Sequence, residues 1–90
     1  MTDVRIIWDV ADDSAGNVQH ITGHGITIKE VEEVLLDRDS EDTISRSTGR
    51  PITFGYTSSG RYLAVVWEHI DDDPLTIYPI TAYDAPERRR

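Results

Sequence analysis

The stretch from Ile26 to Trp67, ITIKEVEEVLLDRDSEDTISRSTGRPITFGYTSSGRYLAVVW, decides the fold class, because the spacing of its apolar residues changes partway along. At its start, Thr27-Ile28-Lys29-Glu30 has the form of a capping box. There the Thr27 hydroxyl and the Glu30 carboxylate each satisfy a backbone N–H that the first helical turn leaves orphaned. Ile26 and Val31 take the positions of a hydrophobic staple. Ile28, Val31, Val34 and Leu35 then form a stripe at helical spacing, with Lys29, Glu30, Glu32 and Glu33 expected to face water. The pattern predicts a helix from Thr27 to near Asp37. Beyond an acidic loop, Asp37 to Asp42, the period drops to two. Thr43 to Arg46, Ile52 to Tyr56 and Tyr62 to Ile70 read as strands, the last with Leu63, Val65 and Trp67 on one face. Gly49-Arg50-Pro51 and Ser58-Ser59-Gly60-Arg61 supply the turns.

Downstream, Asp71 to Pro74 reads as a turn and Leu75 to Ala82 as a final strand. Pro79 has no N–H to give a ladder, so it requires an edge or a bulge there. Upstream, Arg5-Ile6-Ile7-Trp8 is a short β-branched and aromatic strand, and Asp9 to Gly16 a loop. Asn17 to Ile21 makes one or two helical turns stopped by Gly23 and Gly25. The expected fold class is therefore α+β: a short N-terminal strand, two short helices, then a four-strand antiparallel meander. Ninety residues leave room for one domain, residues 1–90. Such a domain buries roughly 60–65% of its unfolded surface, enough to fold alone with little reserve.

Seventeen acidic residues against nine basic ones give a net charge of −8, which repels polyanions at long range and suits a basic protein partner. Cysteine is absent, so no disulfide framework supports this small core, and a cytoplasmic location is expected. The first residues carry no basic segment followed by an apolar run, and no stretch has the length to span a membrane.

Chemistry-bearing patterns are few. His20 and His24 are spaced i, i+4, a metal-ligand spacing if one helix carried both, with His69 or an aspartate as a third ligand. Gly23 interrupts that helix, and no metal or cofactor is expected. Asp71-Asp72-Asp73 lacks the glycine and distal glutamate of a calcium loop. The glycines match no nucleotide loop, and Ser58-Ser59-Gly60 is no nucleophile elbow. Arg50 and Arg61 stand at the two ends of one strand, where arginine forks could hold phosphate; the alternative is a solvating turn position that contributes little to folding.

In order, Trp8-Asp9, Asn17, His24-Gly25-Ile26, Glu30-Val31, the segment Arg50 to Arg61 (RPITFGYTSSGR), and Gly60-Arg61-Tyr62-Leu63 with Val65-Val66 resemble the BrnT toxin family, from Arg5 to about Arg88. The resemblance implies the RelE-like ribonuclease fold and the toxin role in a type II toxin–antitoxin pair. The cognate antitoxin would be a small, basic, DNA-binding protein, RNA the substrate, and DNA contacted only through the antitoxin. Cleavage would need no metal. Such chemistry uses a base on the ribose 2′-hydroxyl, cations for the charged phosphorane and an acid for the leaving oxygen. His24 or Glu87 is the candidate base, Arg50 and Arg61 the cations, and Tyr83 an acid or positioning group. The chain departs from the family in three places: Gly23-His24-Gly25 stands where Lys-His-Gly is usual, Ile80-Thr81-Ala82-Tyr83 where Ile-Ser-Ala-Arg is usual, and Glu87-Arg88 resembles the following Glu-Arg pair but falls about two residues early, after Pro86. Two functions follow as expectations, a metal-independent endoribonuclease with reduced or redirected activity, and a non-catalytic module that keeps only the antitoxin-docking surface.

Overall fold

A computed structural model describes residues 4–86. The chain is an α+β protein in which two short helices cover one face of a five-strand mixed sheet. The elements run β1 (Val4–Ile6), α1 (Asn17–Thr22), α2 (Ile28–Leu36), β2 (Glu41–Ile44), β3 (Pro51–Tyr56), β4 (Tyr62–Asp72) and β5 (Leu75–Asp84). Across the sheet the order is β1-β5-β4-β3-β2. The last four strands are antiparallel in chain order, and β1 lies parallel to β5 with Val4 opposite Leu75 and Ile6 opposite Ile77.

The capping box at Thr27 forms in full. Glu30 N–H donates to Thr27 Oγ1 at 3.1 Å and Thr27 N–H to Glu30 Oε1 at 2.9 Å, while Val31, Val34 and Leu35 are completely buried. These side chains meet Leu63, Val65, Trp67, Ile77 and Ala82 of the sheet, with Ile21 of α1 and Ile26 completing the core. Gly55 lets helix and sheet approach, since a Cβ there would overlap Ser40 Oγ and lie 3.2 Å from Val34 Cγ1.

The glutamates of α2 do not simply face water. Glu32 accepts from Trp8 Nε1 at 3.0 Å, Glu33 from the Ser58 N–H at 3.2 Å, and Glu30 from Arg61. Each ties the helix to a different part of the chain. Strand boundaries also shift from the sequence-based ones. β1 is Val4–Ile6 rather than Arg5–Trp8, because Trp8 turns inward to Glu32. β2 begins at Glu41 rather than Thr43, because Thr53 Oγ1 donates to Asp42 Oδ1 at 2.6 Å and holds Asp42 in the ladder. Trp67 Nε1 donates in turn to Thr53 Oγ1, completing a relay from core to edge. The β4–β5 hairpin is longer than the triple aspartate suggested, with Asp71 opposite Thr76 and Asp72 opposite Leu75.

Pro79 sits beside a register shift at Val66/Trp67, and on its other side β5 is a free edge, since β1 pairs only with Leu75, Thr76 and Ile77. The groups along that edge must find donors elsewhere. Ile7 N–H donates to Ile77 O at 2.9 Å, Asn17 Nδ2 to Pro79 O at 2.9 Å, and His24 Nδ1 to Ala82 O at 2.9 Å. Asn17, 2% exposed, also donates to Ile7 O and exchanges two hydrogen bonds with Asp9. One side chain thus fixes the β1–α1 loop against β5. Asn17→Ala should cost about 2–4 kcal/mol, because it strips donors from two carbonyls and an acceptor from the Asp9 N–H. Chemical denaturation of the purified variant measures this; a change under 0.5 kcal/mol would mean water replaces the amide.

Candidate functional site

Residues singled out in the sequence gather mostly at one end of the sheet, where β4 begins, β5 ends and α2 has its N-terminus. Gly60, with φ +88°, turns the chain into β4 and delivers Arg61 to that end. The guanidinium is then engaged through all three of its nitrogens. Nε and Nη2 donate to the two oxygens of Asp84 at 2.8 and 3.0 Å, a fork on a carboxylate, while Nη1 donates to Gly25 O at 2.9 Å and to both oxygens of Glu30 at 3.1 and 3.2 Å. Arg61 is therefore a junction between α2, β5 and the α1–α2 turn rather than a solvating turn residue.

The electrostatics follow from these contacts. The Glu30 carboxyl is held below the usual carboxylate range, first by the hydrogen bond from the Thr27 backbone N–H and then by Arg61, against an opposing effect of burial. Asp84 is lowered by its Arg61 fork, and Arg61 is raised above the ordinary arginine value by Asp84 and then Glu30. Two carboxylates face one guanidinium, so the cluster is net negative.

His24 adjoins this cluster through Gly25. Its Nδ1 faces a carbonyl, which can only accept, so Nδ1 carries the proton and Nε2 of the neutral ring is left as an acceptor. His20 lies beside it, ring centroids 4.7 Å apart, with Nε2 on Thr81 Oγ1 at 3.0 Å. Among the described residues no cluster of three His, Asp or Glu side chains is placed to hold a metal ion.

Tyr83 belongs to the same end of β5, but alternation sends it to the other face. Its neighbours Ala82 and Asp84 point to the helix side, and Tyr83 lies opposite Ala64 on the face the helices leave open, 42% exposed. Arg50 is exposed and stands at the far end of β3 from Arg61, roughly 20 Å away at strand rise. The two arginines cannot close on one phosphate. Glu87 lies outside the described residues, as do Arg88 to Arg90.

Two features escaped the sequence reading. Asp84 is the strongest partner of Arg61, yet nothing local marks it. On the other side of the His20–His24 pair, Asp9 accepts from Tyr78 Oη as well as from Asn17 N–H. The first contact lowers Asp9 and raises the Tyr78 phenol to about 12. An open depression of about 470 Å³ runs beside this pair, lined by Gly16, Asn17, His20, Tyr78 and Ile80. No lysine or arginine lines it.

The chain matches no family model, no curated protein and no solved structure.

The Arg61 junction makes stability pH-dependent in a defined sense. Glu30 and Asp84 are lowered in the folded state, so their contribution is complete above the unfolded carboxylate values near 4 and is lost as pH falls through the lowered folded values. Arg61→Met should lower stability at pH 7 by about 1–2 kcal/mol, as expected for charge-assisted bonds in a partly solvated network. Its melting temperature should then fall less steeply than wild type between pH 5 and pH 3. Parallel melting curves over that range would show the junction contributes nothing.

Proposed function

We propose that the chain is the BrnT-type, RelE-like component of a toxin–antitoxin pair, acting in the cytoplasm as a protein-binding module that docks a small, basic, DNA-binding antitoxin. The observation that carries the non-catalytic reading is the state of Arg61. A cation that stabilises a phosphorane must turn its donors to the substrate. This guanidinium has given its donors to Asp84, Glu30 and Gly25 O, and the charge around it is negative. Arg50 stands too far off to replace it, and a tyrosine occupies the position where the similar family has arginine. The net charge of −8 adds long-range repulsion of RNA and attraction for a basic protein. Support for the family itself comes from the way the residues that carry the resemblance act together. Trp8 and Asp9 are tied to Glu32, Asn17 and Tyr78, and Arg61 is tied to Glu30.

A second reading keeps metal-independent RNA cleavage, with His24 as base. One observation favours it: the bond from Nδ1 to Ala82 O leaves Nε2 of the neutral ring as the acceptor.

Co-expression with the product of the neighbouring reading frame tests the first reading. The two proteins should co-purify, with a complex that weakens as salt rises, while the chain alone neither arrests growth nor cleaves RNA. Cleavage by the purified chain that falls at least 100-fold in His24→Gln would establish the second reading instead. Separate elution of the two proteins at low salt would remove the toxin–antitoxin assignment.

A further inference from the structure

The sheet has a second face, and its composition is unlike the first. Leu63, Val65 and Thr53 point to the helices, so the residues between them and their ladder partners point away. On that open side β3 presents Phe54 and Tyr56, β4 presents Tyr62, and β5 presents Tyr83. Phe54 lies opposite Ala64, which lies opposite Tyr83, and Tyr56 lies opposite Tyr62. The rings are in contact across strands: Phe54 and Tyr62 stack at 6.2 Å between centroids, and Tyr56 and Tyr62 meet at 4.7 Å. Tyr56 and Tyr83 remain 47% and 42% exposed. The result is an aromatic cluster on β3 and β4 with Tyr83 on β5 across Ala64, a composition enriched at the centres of protein interfaces.

Charge says what covers it. At the strand positions of this face β2 to β5 carry no lysine or arginine, Glu68 lies on β4 beyond Val66, and the one strand cation on this side, Arg5, sits on β1 at the opposite edge. The chain as a whole carries −8. A nucleic acid would stack on the rings but find no lysine or arginine at these strand positions of β2 to β5 for its phosphates. A second copy would bring another −8 to the same face. A basic segment finds both parts of its complement, apolar area for its apolar side and ring faces and acidic surroundings for its cations.

We propose that the open face of β3, β4 and β5, centred on Phe54, Tyr56, Tyr62 and Tyr83, docks a basic amphipathic helix of a partner protein. The inference rests on the binding-module reading for the partner's charge, and it assigns that partner a surface. Tyr83 then belongs to recognition instead of catalysis.

The test titrates the full chain, with its tyrosine and phenylalanine rings ¹³C-labelled, with a synthetic amphipathic helix of leucine and lysine, and separately with the same peptide carrying glutamate for lysine. The lysine peptide should shift the ring resonances of Phe54, Tyr56, Tyr62 and Tyr83, and should bind at least tenfold more weakly to Tyr56→Ser/Tyr83→Ser. Both substituted residues are half-exposed, and the wild-type map stands even if that variant unfolds. Equal binding of the glutamate peptide, unmoved rings, or undiminished binding by a folded double variant would each overturn the proposal. The same shifts on raising protein concentration alone would assign the face to a second copy, and shifts with a single-stranded RNA oligonucleotide would assign it to RNA; either overturns it. A neighbour-encoded protein that co-purifies with the double variant as well as with wild type removes this surface but leaves the proposed function standing. A positive peptide map without a co-purifying neighbour does the reverse.

Discussion

The Glu30 carboxylate is the point on which the architecture turns. It closes the N-terminus of α2 by accepting from Thr27 N–H, where the helix dipole already favours negative charge. It also holds the Arg61 guanidinium, whose other edge grips Asp84 at the end of β5 and whose Nη1 reaches Gly25 O. One anion thereby fixes the start of a helix, the start of β4, the end of β5 and the turn between α1 and α2. The turn and the helix start are neighbours, but they stand 31 to 36 residues from Arg61, which is itself 23 residues from Asp84, and only side chains able to serve several partners can join them. The arrangement also restricts function, because an arginine held on two carboxylates is a fastening, and releasing it for a ligand would leave two anions facing each other without a cation.

A second constraint operates along β5. A parallel β1 of three residues covers less than half of that strand, and the remaining edge carries backbone groups that must be satisfied. Asn17 and His24 do this from α1 and the turn after it. The position of α1 is thus set by hydrogen bonds to the sheet edge as much as by Val18 and Ile21. Its six residues are too few for an isolated helix to persist. His24 is in this sense part of the fold before it is a candidate for anything else.

What could be read from the sequence was what is local. The capping box, the staple and the Val31-Val34-Leu35 stripe lie within ten residues, and they placed α2 within one residue of its observed limits. Alternation placed β3 and the core of β4. The parallel pairing of β1 was not legible, because parallel contacts depend on residues some 70 positions apart and leave no mark on spacing. The hairpin of β4 and β5 came out longer than expected because three consecutive aspartates read as a turn, whereas ladder pairing with Thr76 and Leu75 holds the first two in strand. Arg61 was identifiable as a residue of interest, but its partners stand 31 and 23 positions away, so its occupied state could not be seen. Asn17 was visible only through resemblance, since a buried asparagine has no periodic signature.

The two faces of the sheet divide the work. The helix side holds the buried aliphatic core and its satisfied polar groups, and no buried side-chain polar atom among the described residues lacks a partner. The open side has aromatic rings that the fold does not fully cover, and half-exposed tyrosines contribute far less to stability than the fully buried Val31, Leu35 or Leu63. Tyr83 extends that aromatic surface from β3 and β4 onto β5. An arginine at this position would have placed a cation at the margin of the ring cluster, attractive to phosphate and repulsive to a basic partner. With tyrosine there, the face gains ring area and keeps its negative surroundings. On the proposed binding reading, a half-exposed ring rather than a cation at this position suits a basic partner better than a phosphate.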